Sequence, residues 1–84
     1  MAKHHKLLER MRRTKSGWKP RDFEALYTGF GFESIDAAKH TKYRHAAHPQ
    51  LWTMVKRADP LSKAYAEEAV TLIERLLAIE GPGE

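Results

Sequence analysis

The chain has 84 residues, with 15 Lys and Arg against 11 Asp and Glu, five His and no Cys, and a formal net charge of +4. This length suits one small domain, and the lack of Cys excludes a disulfide framework, a Cys-based zinc site and thiol redox chemistry. No apolar run approaches the ~18 residues of a membrane-spanning helix, and no apolar segment follows the basic start as a signal peptide would require. We therefore expect a soluble, cytoplasmic module without a membrane partner, whose positive charge favours a polyanionic ligand such as RNA.

A basic segment over residues 3–15 comes first. Within it Leu7, Leu8 and Met11 recur at helical spacing, which predicts a short helix over 3–13. Eight of the 15 Lys and Arg lie in or just after this segment. They suit either a phosphate ligand, bound with salt-dependent affinity, or a solvated helix face, and both interpretations stay open. These cations are Lys3, Lys6, Arg10, Arg12, Arg13, Lys15, Lys19 and Arg21.

A second helix is predicted to begin at Pro20, because the missing N–H of proline is tolerated at the first helical position. Apolar residues then fall at i, i+3, i+4 and i+7, which makes one continuous stripe for a core. Gly31, just past the stripe, is typical of a left-handed helix stop. The stripe consists of Phe23, Leu26, Tyr27 and Phe30.

Three strands are predicted after this helix, over residues 32–37, 41–46 and 51–56. From about residue 62 to about residue 79 the apolar pattern returns to a helical period, so a third helix is expected. The order of elements is therefore helix, helix, three strands, helix.

This order predicts a single α+β domain over residues 1–84, with its core at 20–79 and a flexible tail at 80–84. The simplest arrangement has two layers, in which helices cover one face of a three-stranded antiparallel sheet. The second face of the sheet is then open to solvent or to a partner.

The middle strand carries the candidate chemistry. Alternate side chains of a strand share one face. Tyr43 fits the core face, and His45 shares that face with it. The open face then carries His40, Lys42 and Arg44. An imidazole that transfers protons near neutral pH, beside cations that stabilise phosphate charge, is the combination that RNA cleavage through the 2′-hydroxyl requires.

The residues around this strand also match the motifs of one known family. Lys39-His40 is followed by an aromatic residue, Tyr43, three positions after the histidine, and by a second histidine, His45. Upstream, residues 27–32 contain the apolar-Gly-Phe turn that ends a helix before the first strand.

Downstream, residues 61–66 and the apolar run 69–73 match the family's last connecting segment and last helix. In order and spacing, these features resemble the HicA toxins, the small mRNA interferases of HicAB toxin–antitoxin systems, over roughly residues 23–77. Ala38 stands where the family usually has Gly, Ala46 where Pro often follows the second histidine, and Lys63-Ala64 in place of a Pro-Gly pair.

The resemblance implies a double-stranded-RNA-binding-domain-like fold with an extra N-terminal helix. It also implies endoribonuclease activity on mRNA without a metal or other cofactor, with His40 in the place of the catalytic histidine. Lys39, Lys42 and Arg44 are the expected phosphate-binding residues. The implied partner is a HicB-like antitoxin that covers the open sheet face, and an oligomer with this antitoxin is compatible with the resemblance.

Two other functions stay open on the sequence. The departures at Ala38 and Ala46 fit a non-catalytic RNA-binding module of the same fold. A protein-interaction subunit without a nucleic-acid role is the third hypothesis, and it predicts weak affinity for polyanions and a protein partner that binds whatever the salt concentration.

The remaining histidines and both tryptophans are given structural interpretations. His45 and His48 follow His40 closely, but no carboxylate or Cys accompanies them at ligand spacing, so no metal site is expected. We expect His45 to be packed or hydrogen-bonded at the edge of the core, and His48 to lie in a turn. Trp52 is expected to pack in the core or to contact an antitoxin rather than to stack on a base. Trp18 is expected to close over the first two helices.

Overall fold

A computed structural model describes residues 3–57 and 61–80, and within these ranges the chain forms three helices and three strands. The helices are α1 (Lys3–Arg13), α2 (Pro20–Gly29) and α3 (Lys63–Glu80), and the strands are β1 (Phe32–Asp36), β2 (His40–His45) and β3 (Trp52–Lys56). The predicted order and type of the elements are therefore confirmed. The predicted tail lies outside the described residues, except for Glu80, which ends α3.

The three strands form one antiparallel sheet in the order β1-β2-β3. In this register Tyr43 at the centre lies opposite Ser34 on one side and Thr53 on the other. The turn between β1 and β2 is closed by the Ala37 N–H, which donates to the His40 carbonyl at 2.9 Å. No described residue other than glycine has a positive φ, so Ala38 in this turn does not need the conformational freedom of glycine.

Helices cover one face of the sheet, which confirms the predicted α+β class. Burial alternates along β3, where Thr53 and Val55 are buried and their neighbours are exposed. Phe32 and Tyr43 point to the same face and join the core, which α2 and α3 complete with apolar side chains. The helical members include Phe23, Leu26, Tyr27, Ala66, Ala69, Leu72, Ile73 and Leu76. None of the helices in the described ranges is long and apolar enough to cross a membrane.

The N-terminal helix is an integral part of this core. Leu7, Leu8 and Met11 are buried in the same cluster as the residues of the sheet and the other helices. Arg12 extends from α1 and donates to the carboxylate of Glu74 on α3 at 3.2 Å. The basic segment is therefore packed on the domain rather than attached to it as a separate arm.

The loop between α1 and α2 is also tied to the core. Trp18 is buried, and its indole N–H donates to the carbonyl of Thr14 at 2.7 Å. The carbonyl of Trp18 accepts from the N–H of Leu61 at 3.0 Å, which joins this loop to the segment before α3. The guanidinium of Arg10 lies 5.2 Å from the centre of the Trp18 ring.

Candidate nucleic-acid interface

Strand β2 separates its side chains between two environments, as the alternation predicted. Tyr43 and His45 are buried on the helix side of the sheet. Burial, with added repulsion from Glu24 and Asp36, raises the pKa of Tyr43 to about 12, so its phenol stays neutral and serves the core. The candidate chemistry therefore lies on the other face, which we call the open sheet face: Glu33, Ile35, His40, Lys42, Arg44, Trp52, Met54 and Lys56.

His40 begins β2 and is half-buried. Its imidazole has no hydrogen bond to any other residue that the structure describes. The residue directly across the sheet on β3 is Lys56, and such opposed residues have Cβ atoms about 5 Å apart. Across the turn, His40 is paired with Ala37 through the backbone, so the side chain at that position is only a methyl group. The imidazole is therefore accessible, and it lies beside a cation.

Lys56 was missed by the sequence reasoning. Its place next to His40 depends on the register of the β2–β3 hairpin, in which His40 pairs with Lys56 and Lys42 with Met54. The signal was present in the chain, because a hairpin centred on the turn after His45 brings these positions together. The residues of β2 alone do not indicate that Lys56 lies next to His40.

The predicted phosphate-binding residues are not all on the same face. Lys42 and Arg44 share the open sheet face with His40, as predicted. Lys39 precedes β2, and its carbonyl accepts from the N–H of Arg57 at 3.1 Å, so it continues the strand ladder by one residue. Strand alternation then places Lys39 on the opposite side from His40, exposed at the end of the sheet.

Trp52 does not pack in the core, so that part of the expectation is wrong, whereas contact with an antitoxin stays a prediction. The indole is 52% exposed on the open sheet face, opposite Arg44. The Nζ of Lys42 lies 4.9 Å from the centre of the ring. The reason is the alternation of β3, because Thr53 and Val55 occupy the inward positions and Trp52 must point outward.

Two more apolar side chains share the open sheet face with this tryptophan. Ile35 and Met54 flank Lys42 on its two neighbouring strands and are 41% and 40% exposed. Of the charged side chains on this face only Glu33 is negative, against the three cations Lys42, Arg44 and Lys56. A face that combines cations with an exposed aromatic ring can hold a phosphate backbone and stack an unpaired base.

His45, by contrast, is built into the structure, as predicted. Its Nδ1 accepts from the N–H groups of Ala47 and His48 at 3.0 and 3.2 Å, and its Nε2 lies 3.0 Å from the carbonyl of Phe30. This network assigns the ring as neutral with its proton on Nε2, which donates to that carbonyl. Gly31 follows with φ +95°, and a Cβ there would lie 2.9 Å from the same Nε2.

The other histidines do not extend the site. His48 lies between β2 and β3, as expected, with its Nε2 3.5 Å from the carboxylate of Glu80. His4 and His5 pack edge-on against Phe30. Within residues 3–57 and 61–80 no group of three or more His, Asp or Glu side chains is placed to hold a metal ion.

The comparisons with known proteins identify no relative, because no family model, no curated protein and no solved structure matches the chain. The resemblance to HicA toxins therefore depends on the motif residues themselves. In the structure these residues divide between the two layers, with His40 on the open sheet face and Tyr43 and His45 on the core face.

Proposed function

We propose that the protein is a HicA-like toxin, a metal-independent endoribonuclease that cleaves mRNA in the cytoplasm, with His40 as its proton-transfer residue. One observation carries the proposal. An accessible imidazole, without a hydrogen bond to the described residues, shares the open sheet face with three cations and an exposed tryptophan. The double-stranded-RNA-binding-domain-like fold belongs to the same proposal, since the α+β architecture is compatible with it.

The reaction that suits this face is attack by the 2′-hydroxyl on the adjacent phosphorus. Neutral His40 accepts the hydroxyl proton as the O2′–P bond forms, and the P–O5′ bond breaks. The products are a 2′,3′-cyclic phosphate and a 5′-hydroxyl, whose proton comes from water. Lys42 and Lys56, the cations next to His40 along and across the sheet, stabilise the negative charge that builds on the phosphate oxygens.

The same face supplies the surface for an antitoxin. A HicB-like protein seated on it would bury Ile35, Trp52 and Met54, which are large apolar side chains exposed in the free domain. It would cover His40 as well, so substrate would be excluded without any chemistry by the antitoxin. Inhibition and catalysis then compete for one surface.

A second candidate function is RNA binding without cleavage. It is favoured by one observation, because the side chains directly across from His40 are Ala37 and Lys56, and neither supplies a carboxylate or a second imidazole. The exposed Trp52 and the cations around it would serve such a module equally well. The two functions differ only in whether the phosphodiester bond is broken.

The test is cleavage of end-labelled mRNA by the purified protein and by His40→Ala, with EDTA present. We expect the wild type to cleave with EDTA and to leave 2′,3′-cyclic phosphate ends, and the variant to be slower by about 10²–10⁴-fold. His48→Gln is the matched control, since it removes a half-buried imidazole away from the open sheet face. Cleavage by His40→Ala at the wild-type rate would exclude His40 as the catalytic residue. Binding without cleavage by the wild type would leave the second function.

A further inference from the structure

A second strongly basic surface lies on the helical layer, away from the open sheet face. Lys3, Lys6, Arg10 and Arg13 recur along α1 at i, i+3, i+7 and i+10, so they share one side of the helix. Arg21 of α2 faces them. We call these five residues the basic cleft, because a depression of about 450 Å³ between α1 and α2 is lined by four of them. Arg10 also lines an adjoining recess of about 290 Å³, together with Arg13.

Within the described residues, ion pairs do not neutralise the charge of the basic cleft. No ion pair in the described part of the chain includes any of its five cations. Asp22 is the one carboxylate among the residues that line the depression, and it accepts a hydrogen bond from the N–H of Lys19 at 2.9 Å. Arg12, on the other side of α1, differs from the cleft residues because it pairs with Glu9 and Glu74.

Most of this arrangement does not stabilise the fold. Like charges three or four residues apart on a helix are destabilising by a few tenths of a kcal/mol per pair. Lys3 and Lys6 in the first turn of α1 also oppose the helix dipole without an acidic residue beside them, whereas Arg10 and Arg13 in the last turn suit the dipole. The like-charge pairs and the two cations of the first turn therefore have no stabilising role in the isolated protein, and a ligand explains them better.

The spacing of the cations indicates an extended ligand. From Lys3 to Arg13 the α-helical rise separates the first and last charge by about 15 Å. A single phosphate would reach only part of this row, whereas the repeating phosphates of a nucleic-acid strand can lie along all of it. Lys and Arg bind such a backbone through charge-assisted hydrogen bonds without reading its sequence.

We propose that the basic cleft is a second binding site for the sugar-phosphate backbone of RNA. The identity of the nucleic acid rests on the proposed function, but the site itself does not. Helices cover the face of the sheet opposite His40. An RNA molecule bound at both sites therefore passes around an edge of the domain, from the open sheet face to the basic cleft. The shortest extent of the molecule is 20 Å, which a flexible single strand can follow. The cleft supplies affinity and leaves the chemistry to the other face.

The test is binding of a fluorescein-labelled single-stranded DNA analogue of RNA, which has no 2′-hydroxyl and cannot be cleaved, measured by anisotropy over a series of salt concentrations. The variant is Lys6→Gln with Arg13→Gln and Arg21→Gln. We expect weaker binding, and a slope of log Kobs against log salt that is smaller by about 2, because each phosphate contact on a single strand contributes roughly 0.7. We also expect the variant to unfold at the same or a higher temperature than the wild type.

The matched control loses the same three charges elsewhere, through Lys15→Gln, Lys63→Gln and Arg75→Gln, and it should keep most of the slope. If both triple variants lose the same slope, only net charge matters and the basic cleft is not a site. If neither loses it, the proposal is also overturned. Binding of an acidic peptide or of anionic vesicles with equal salt dependence would show a general anion surface and would overturn the assignment to RNA.

A third variant separates this proposal from the proposed function. Lys42→Gln with Arg44→Gln removes two cations from the open sheet face. If it alone weakens binding, the open sheet face binds the strand and the basic cleft does not. If only the cleft variant weakens binding, the proposal of a binding site in the basic cleft is supported, and the assignment of RNA to the open sheet face is wrong.

Discussion

His40 and His45 lie five residues apart on the same strand, but their side chains are in opposite environments. His45 is buried and uses both ring nitrogens. One nitrogen accepts hydrogen bonds from two backbone N–H groups, and the other donates a hydrogen bond to the carbonyl of Phe30. His40 is half-exposed and has no hydrogen bond to the described residues. Because their separation is an odd number, strand alternation puts them on opposite faces. The role of each imidazole is therefore set by the partners it meets rather than by its neighbours in the sequence.

The difference shows why a buried histidine is a poor catalyst here. A ring that holds three hydrogen bonds is fixed in one tautomer and has no free nitrogen for a substrate. A ring with open nitrogens can bind a hydroxyl and transfer its proton. Substitutions can test this contrast between His45 and His40, and between the two faces, in order of decreasing effect.

The largest loss of stability is expected for His45→Ala. The substitution removes the side-chain partner of the Ala47 and His48 N–H groups and of the Phe30 carbonyl, and it opens a cavity beside Phe32. We expect the free energy of unfolding, measured by urea titration, to fall by about 3 kcal/mol. His40→Ala is the control and should change it by less than about 0.5 kcal/mol. Equal losses would contradict the division of roles.

Gly31→Ala should have the next largest effect. Alanine at φ +95° is strained, and its Cβ would approach Nε2 of His45 at 2.9 Å, so the bond to the Phe30 carbonyl would be disturbed. We expect a loss of about 2 kcal/mol in the free energy of unfolding. Gly17→Ala separates the two causes, because Gly17 has φ +85° but no atom within 4 Å of the place that a methyl group would take. It should cost about 1 kcal/mol, and an equal loss at both glycines would show that contact with His45 does not matter.

Trp52→Ala should affect RNA binding rather than stability. The indole is exposed beside Lys42 and Arg44, so its loss removes a stacking surface but no core contact. We expect affinity for single-stranded RNA to fall by about 1–3 kcal/mol, measured by anisotropy, with little change in the melting temperature. For Trp18→Ala we expect the reverse, a lower melting temperature with little change in affinity, because Trp18 is buried and hydrogen-bonded to Thr14. A melting temperature that falls equally in both variants would contradict the exposed position of Trp52.

The smallest expected effect is on the docking of α1 at acidic pH. Burial, and to a lesser extent the charge of His5, lower the pKa of His4 from its ordinary value of 6.5. The folded state then binds fewer protons than the unfolded state, so this contribution to stability is present above pH 6.5 and is lost as the pH falls below it. Hydrogen exchange of the α1 amides should therefore become faster relative to the core at acidic pH. His4→Gln should remove that difference, and an unchanged pH dependence would assign it to another group.

The sequence was sufficient for the elements, the order of the layers and the faces of β2, because apolar spacing in this chain is regular. It was not sufficient for contacts that depend on how distant elements meet. Lys56 reaches His40 only through the register of a hairpin, and the outward position of Trp52 follows from the smaller Thr53 and Val55 that fill the inward positions. The chemistry proposed for His40 was predictable as a pattern, whereas its surroundings required the fold.

The docking of α1 on α3 has a consequence for the time at which the domain is completed during synthesis. Arg12 and Glu74, which meet in the folded domain, are 62 positions apart in the chain. The ribosome needs about 3–12 s to add that many residues, and α1 lacks its partner throughout this interval. A nascent chain therefore carries an incomplete core while it is still attached to the ribosome. Synthesis itself therefore delays the appearance of the finished domain until α3 has been made.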